Sequence, residues 1–483
     1  MGRSGRSLPY ARNVQTRPTL RLRTDDAEIR AGLDRIRADF AVPGPFPAAV
    51  LAEAEAAAAA GPPERADLRE IPFFTLDPVG SMDLDQAMWL ERRPGGYRIR
   101  YAIADVAHFV RPGGAIDAEA HERGVTLYLP DAKAPLHPPV LSEGAASLLP
   151  GADRPAVVWT IDIDDAGATT ATDVRRALVR SRDRLNYDGA STGDPRIALL
   201  GEVGRVLLAA EAARGGVSLP LPEQEVVRGD GGWTLEQRGD LAAEEWNAQI
   251  SLLTGRAAAA LMLEGGLGLL RTMPPAPEEA VQRLRRASRA LGVVWPEGLA
   301  YGEVLRGLNP ARAKDAALLF EAPTLLRGAG YTAFDGAPPA DPAHAAVAAP
   351  YAHVTAPLRR LADRHATEVC LALCAGTEVP AWAREALPGL PEVMRRSLRR
   401  GAEVERACVD LVEALLLNAH VGQVFDAVVV EVNEGKPGGL VQLAGPAVLA
   451  RCDGDGLPLG EPVKVRLQAA DPSRRLVRFS LTG

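Results

Sequence analysis

The stretch FFTLDPVGSMDLDQAMWL sets the tightest limit on how this chain can fold. Asp77, Asp83 and Asp85 fall within nine residues, with apolar positions on both sides. Apolar flanks ask for burial, and a carboxylate taken out of water without a partner is costly. The fold must therefore supply these acids with cations, hydrogen-bond donors or a metal. Three local explanations compete: turn chemistry, since Asp-Pro and Gly-Ser favour turns; a calcium loop; and a magnesium site of a few carboxylates completed by water and phosphate oxygens. The calcium loop fails on spacing, because the D-x-D-x-D-G series with a glutamate at its twelfth position is absent.

Patterning divides the rest of the 483 residues, a length that calls for two to four domains. From Asp25 to about Phe40, Ile29, Leu33 and Ile36 share one helical face, and PFPAAVLAEAEAAAAAG begins a second helix stopped by Gly61-Pro62-Pro63. The pair is expected to be either a winged helix-turn-helix or a plain helical pair. From about residue 66, strand-like runs (YRIRYAIADVAHFV, VVWTIDIDD) mix with helical ones (AAEEWNAQISLLTGRAAAALM, LPEVMRRSLRRGAEVERACVDLVEALLL), which indicates a large α+β domain. The final stretch reads as five short strands between Gly/Pro/Asp turns, an all-β barrel of OB type. The expected architecture is thus multidomain α+β: a helical N-terminal domain over 1–65, an α+β domain over 66–417 and an OB-fold barrel over 418–483.

No apolar run reaches the roughly 18 residues of a membrane span. Four cysteines without CxxC spacing fit a reducing cytoplasm. Seven scattered histidines show no zinc-ligand spacing, so no His/Cys metal site is expected. Lysine occurs four times (Lys133, Lys314, Lys436, Lys464), so 51 of the 55 basic residues are arginine. The net charge of −7 argues against indiscriminate coating of nucleic acid, though clustered arginines can still make a local site. Six arginines and no acid in the first 24 residues (Arg3, Arg6, Arg12, Arg17, Arg21, Arg23) read as a phosphate-touching arm or a simple tail. A transit leader has similar composition, but no amphipathic apolar face accompanies it here.

The flanks of the acidic stretch, RADLREIPFFTLDPVGSMDLDQAM, resemble the signature that opens the catalytic domain of the ribonuclease II (RNB) family. Asp77, Asp83 and Asp85 match the first three aspartates of its D-x5-D-x-D-D pattern, and Gln86 stands in place of the fourth. The resemblance continues in order through IADVAHFVRPGGAIDAEAHERGVTLYLPDAKAPLHPPVLSEGAASLLPG, SRDRLNYDGA, EEWNAQISL and YAHVTAPLRRLAD, where Val354, Ala356 and Leu361 depart from the family block. The terminal barrel looks like the S1-type RNA-binding domain that closes this family. The two cold-shock barrels that often precede the catalytic domain have no room in the N-terminal region.

The resemblance implies stepwise hydrolysis of single-stranded RNA from its 3′ end to nucleoside 5′-monophosphates. It also implies magnesium, with manganese as an alternative. Two metals about 3.5–4 Å apart can activate a water, screen the phosphate and stabilise the leaving oxygen. Asp77, Asp83, Asp85 and Gln86 are the implied metal ligands, with Asp85, Asp83 and Arg359 the catalytic set. Gln86 brings an amide oxygen without charge, so the expected outcome is weaker metal binding, and at the extreme a catalytically silent RNA-binding protein. A DNA-directed nuclease is the third reading.

Tyr128 and Tyr187 match aromatic positions that stack on bases, and Glu405 matches a glutamate that seats the terminal nucleotide; a core tyrosine and a helical ion pair are the plain alternatives. Arg395, Arg396, Arg399 and Arg400 form a helical stripe that would line an RNA channel, extended by Arg474, Arg475 and Arg478. His108, His344 and His353 receive no chemistry. The expected partner is single-stranded RNA bound by a monomer away from membranes. A small helical front end also predicts tolerance of RNA with duplex regions and a 3′ overhang.

Overall fold

The computed structural model describes residues 26–482 apart from positions 62, 191–192, 220–222, 230–231, 240, 434 and 446. The arginine-rich arm before Asp25 lies outside the described residues. Among the described residues no helix is long and apolar enough to cross a membrane.

A seven-stranded sheet carries the centre of the molecule. Across it run Ala66–Asp67, Thr169–Val179, Arg154–Asp164, Gly96–Ala104, Gln86–Arg93, Phe74–Asp77 and Asp183–Asn186. The two outermost pairings are parallel and the inner ones antiparallel. Period-two alternation explains its two faces. Tyr101, Ile103, Val157, Trp159 and Ile161 point to one core, under the helices Pro195–Arg214, Ala242–Gly265 and Leu361–Ala375. Ala102, Ala104, Ala156 and Val158 point to the other, where small side chains let the helix Ala48–Ala59 come close. The strand expected through YRIRYAIADVAHFV ends at Ala104, and Val106–Phe109 is a helical turn. Buried Asp105 marks the change, held by Arg65 and by Arg176 Nε at 2.9 Å.

The helix Leu390–Leu417 joins the parts. Val404, Ala407, Cys408, Leu411, Val412 and Leu415 repeat at helical spacing and are buried. They pack with the first helix, Asp26–Asp39, and with the barrel in one apolar cluster. At its far end the same helix closes on Gly124, where an added Cβ would stand 2.0 Å from Ser397 Oγ. The barrel is closed by Val424–Val432, Gly439–Leu443, Leu449–Asp453, Leu476–Leu481 and Pro462–Asp471 in that spatial order, the last pairing back to the first. This is the OB-type arrangement expected.

The N-terminal region is helical, with Asp26–Asp39 and Ala48–Ala59 as its two helices. Their apolar faces lie in different cores. Ile29, Leu33 and Ile36 join the long helix and the barrel, whereas Val50 and Ala54 join Phe73 and Leu84 beside the acidic stretch. Sequence spacing identified the buried face of the first helix but not what covers it.

Candidate active site

The acidic stretch hangs between two strands and is pinned from outside. Ser81 N–H donates to Pro78 O at 3.2 Å, closing a turn in which Gly80 takes φ +85°, a conformation suited to glycine. Ser147 Oγ donates to Met82 O at 2.6 Å and accepts from Leu84 N at 3.0 Å. Leu148 N–H donates to Leu84 O. Residues 82–85 therefore have little freedom, although they belong to no strand.

A second loop, residues 354–360, faces them. Buried Asp363 accepts from Ala356 N at 2.7 Å and from Arg360 Nε and Nη2 at 2.6 and 2.7 Å. Backbone bonds from Thr126 N to Arg359 O and from Leu361 N to Gly124 O, each 3.0 Å, fix its far side. This loop delivers two groups to Asp85. Leu358 N–H donates to Oδ1 at 2.7 Å, and Arg359 Nε lies 3.4 Å from Oδ2. Asp85 is 4% exposed, whereas the Arg359 side chain is 51% exposed. The guanidinium thus reaches from a buried carboxylate to solvent.

Each expected ligand has a distinct setting. Asp77 ends its strand, paired with Asn186, and its Oδ2 is buried with no hydrogen-bond partner among the described residues. Burial pushes the Asp77 and Asp85 carboxyls up to about 7, against the pull of Arg359. Arg184, exposed and donating to Ser81 O, acts on Asp77 only through its field. Asp83 is engaged at both oxygens, by Lys133 Nζ at 2.8 Å and by Tyr128 OH at 3.3 Å. Lys133 also meets Glu143 Oε1 at 2.9 Å. Gln86 lies on the sheet face of Met88 and Tyr101, and its Oε1 accepts from buried Tyr101 OH. Asp77 and Asp85 fit a divalent ion, because Asp85 is a buried acid lacking full compensation and half-buried Asp77 has a buried, orphaned oxygen. Asp83 and Gln86 already have partners.

Tyr128 stands 52% exposed at the rim, opposite Lys133 on the hairpin Leu127–Tyr128/Lys133–Ala134. Tyr187 is half-buried and accepts from Asn247 Nδ2 at 2.7 Å. Glu405 is exposed on the long helix with no ion pair among the described residues, so the helical ion pair considered for it is not formed. Along the same helix Arg395 is held by Glu392 and Arg399 by Glu403. Arg396 is exposed and Arg400 half-buried. The stripe borders a cleft of about 410 Å³ against Asp39, Phe40 and Ala41. On the barrel, Arg475 bonds Asp39 at 2.8 Å and Arg478 pairs with Asp453, so both are committed to protein contacts.

Sequence reading missed three features here. Lys133 and Asn247 carry no local signal, since their partners lie 50 and 60 residues away. The third is a cluster that the scattered histidines did not announce: ligand atoms of Asp117, His121 and His365 lie within 4.8 Å of one another. The i,i+4 spacing of Asp117 and His121 was the available clue. Arg364 Nη1, 2.5 Å from Asp117 Oδ1, already fills that cluster with positive charge.

The RNB domain family matches residues 65–369, and the RNase II-type exonuclease C-terminal S1 domain matches residues 423–482. Ribonuclease R of Aquifex aeolicus is 28% identical over 508 residues, covering 93% of this chain and 70% of that protein. Ribonuclease R of Escherichia coli is 28% identical over 474 residues, covering 86% of this chain and 57% of that protein. The chain thus spans somewhat more than half the length of these relatives. The apo form of Mycoplasma genitalium RNase R has the same fold, with TM-score 0.82 at 19% identity, covering 95% of this chain and 79% of that one. With its sheet, its acidic stretch and its closing S1 barrel in this order, the chain belongs to the RNB domain family.

Proposed function

We propose that this protein is a 3′→5′ exoribonuclease that hydrolyses single-stranded RNA to nucleoside 5′-monophosphates with magnesium, or manganese in its place, as a monomer in the cytoplasm. The observation that carries this reading is the setting of half-buried Asp77, whose Oδ2 is buried, and of buried Asp85, with Arg359 reaching from Asp85 to solvent. Membership of the RNB family and the names of its relatives support it. A bound divalent ion would supply Lewis acidity and a water activated near neutral pH. Asp77 and Asp85 would hold it. Arg359 would stabilise charge building on the phosphoryl oxygens, and Asp363 would keep that arginine in place through the loop. Tyr128 and Tyr187 would offer faces for base stacking, worth roughly 1–3 kcal/mol per base and indifferent to sequence. Glu405 would seat the terminal nucleotide, and Arg474 would extend the basic path. We propose the same divisions as from sequence, 1–65, 66–417 and 418–483, with the first helix held by both neighbours.

The test is cleavage of 5′-labelled oligo(A) with titrated Mg²⁺ or Mn²⁺. Collapse to a short 5′ remnant with release of monophosphates supports the enzyme. Binding without cleavage, unchanged by Asp85→Asn, supports a silent RNA binder, and equal cleavage of a DNA oligomer rejects the RNA assignment. A hairpin with a 3′ overhang, run beside a blunt one, tests duplex tolerance.

Acidity enters through the two raised carboxyls. Below about pH 7 they hold protons that an incoming ion must displace. Apparent metal affinity therefore falls as pH falls. Half-saturation with Mn²⁺ is expected to need at least about tenfold more metal at pH 6 than at pH 8. An unchanged midpoint would contradict this.

On the long helix, the unequal pairing of the arginines predicts unequal effects. Arg396→Ala and Arg400→Ala should each flatten the salt dependence of RNA binding by roughly 0.7 in log–log slope, whereas Arg395→Ala, already neutralised by Glu392, should do less. Equal slopes in all three variants would argue against a channel along this face.

A further inference from the structure

The surroundings of Asp83 differ from those of Asp77 and Asp85. Asp77 keeps a buried oxygen free, and Asp85 shares its carboxylate with one backbone N–H and a guanidinium. Asp83 has a resident ammonium. Lys133 Nζ sits between Asp83 Oδ1 at 2.8 Å and Glu143 Oε1 at 2.9 Å, with its side chain only 25% exposed. Tyr128 OH takes the other oxygen of Asp83. Antiparallel pairing sets Lys133 directly opposite Tyr128, so both side chains leave the same face of the hairpin toward Asp83. Glu143 comes from the helical segment Leu141–Ala145, just ahead of the serine that pins the acidic stretch. The ammonium is therefore held by two elements, themselves fixed to the site.

A lysine ammonium is a compact point charge with three donors. Between two carboxylates it supplies the charge balance that a cation would otherwise bring. Gln86, next in the chain after Asp85, adds no charge, and its oxygen serves Tyr101. The balance can be counted. Four carboxylates (Asp77, Asp83, Asp85, Glu143) face two cations that contact them directly (Lys133, Arg359), leaving two negative charges, which one divalent ion neutralises. A second ion at Asp83 would have to displace Lys133 and would overcharge the site.

We infer that Lys133 stands permanently in the place of a second divalent ion at Asp83, so that this site takes one ion, held by Asp77 and Asp85. Lys133 is then a positioning residue: it withdraws Asp83 from ligation and fixes the rim that carries Tyr128. The inference rests on the nuclease reading only in using the same carboxylates, and its test needs no turnover.

The test is to titrate the full chain with Mn²⁺ and follow free Mn²⁺ by electron paramagnetic resonance, counting the ions that are lost in Asp85→Asn. That subtraction removes binding elsewhere, including at Asp117, His121 and His365. One such ion is expected in the wild type and in Lys133→Arg. In the double variant Lys133→Met/Gln86→Asp a second ion should appear, bound roughly 10- to 100-fold tighter than any second ion in the wild type. Two ions or none in the wild type overturns the inference, as does a double variant that still binds one. Should the double variant lose its cooperative melt, the wild-type count still decides. One bound ion with no RNA cleavage removes the nuclease assignment and leaves this inference standing; cleavage with two bound ions does the reverse.

Discussion

Asp85→Asn is expected to lower RNA cleavage by about a thousandfold or more while making the metal-free protein more stable. The two effects share one cause. Asp85 is buried, and burial raises its carboxyl from the ordinary 3.8 to about 7. An acid whose pKa is higher in the folded state binds its proton better when folded, so at pH above that value the ionised group opposes folding. The opposition is fully present near pH 8 and vanishes by about pH 4. Asparagine retains an oxygen to accept the Leu358 N–H but has no charge to desolvate, so the gain should be on the order of 2 kcal/mol at pH 8. The activity loss follows from removing one of two carboxylates able to hold the ion, which is the type of electrostatic contribution that commonly costs about 10²–10³ or more in rate. Melting in chelator at pH 8 and pH 5, beside single-turnover cleavage, checks both. A variant less stable than the wild type at pH 8 would refute this account of the site's strain.

Asp363→Ala should act in the opposite sense on stability. Asp363 is fully buried and carries three hydrogen bonds, one to Ala356 N and two to the Arg360 guanidinium. Removing the carboxylate leaves a largely buried guanidinium uncompensated, a loss of about 3–5 kcal/mol. Against a total of roughly 5–15 kcal/mol for a domain, that is a large fraction. The melting temperature should drop by several degrees, and cleavage should fall because Leu358 N–H and Arg359 lose their positions. Asp363→Asn, which can still accept from Ala356, should lie between. Melting within a degree of the wild type would show that the loop is held by something else.

How much of this was legible in the chain differs between fold and site. The strand YRIRYAIA, the helix LPEVMRRSLRRGAEVERACVDLVEALLL and the five strands of the barrel follow from periodicity, which needs only neighbours in sequence. The reading overran at DVAHF, because a short apolar run does not distinguish a strand from a helical turn; the ion pairs of Asp105 to Arg65 and Arg176, far off in sequence, decide it. Asp77, Asp83 and Asp85 were visible because they are local. Lys133 was visible only as a rare residue type, since nothing in PDAKAPLHPP tells that it turns onto Asp83. Ile29, Leu33 and Ile36 announced a buried face, yet their cover comes from residues near 404–415 and from the barrel. Local chemistry is written in the sequence, whereas partners brought by topology are not.

The seating of the helix Asp26–Asp39 has a consequence for biosynthesis. Its apolar face is covered by the helix Leu390–Leu417 and by the barrel, and Asp39 is clasped by Arg475. That face must therefore wait, uncovered, until the ribosome has released the long helix and the barrel. Removing the barrel would unseat this helix as well, so the barrel is not a removable attachment but the latch of a loop more than four hundred residues around.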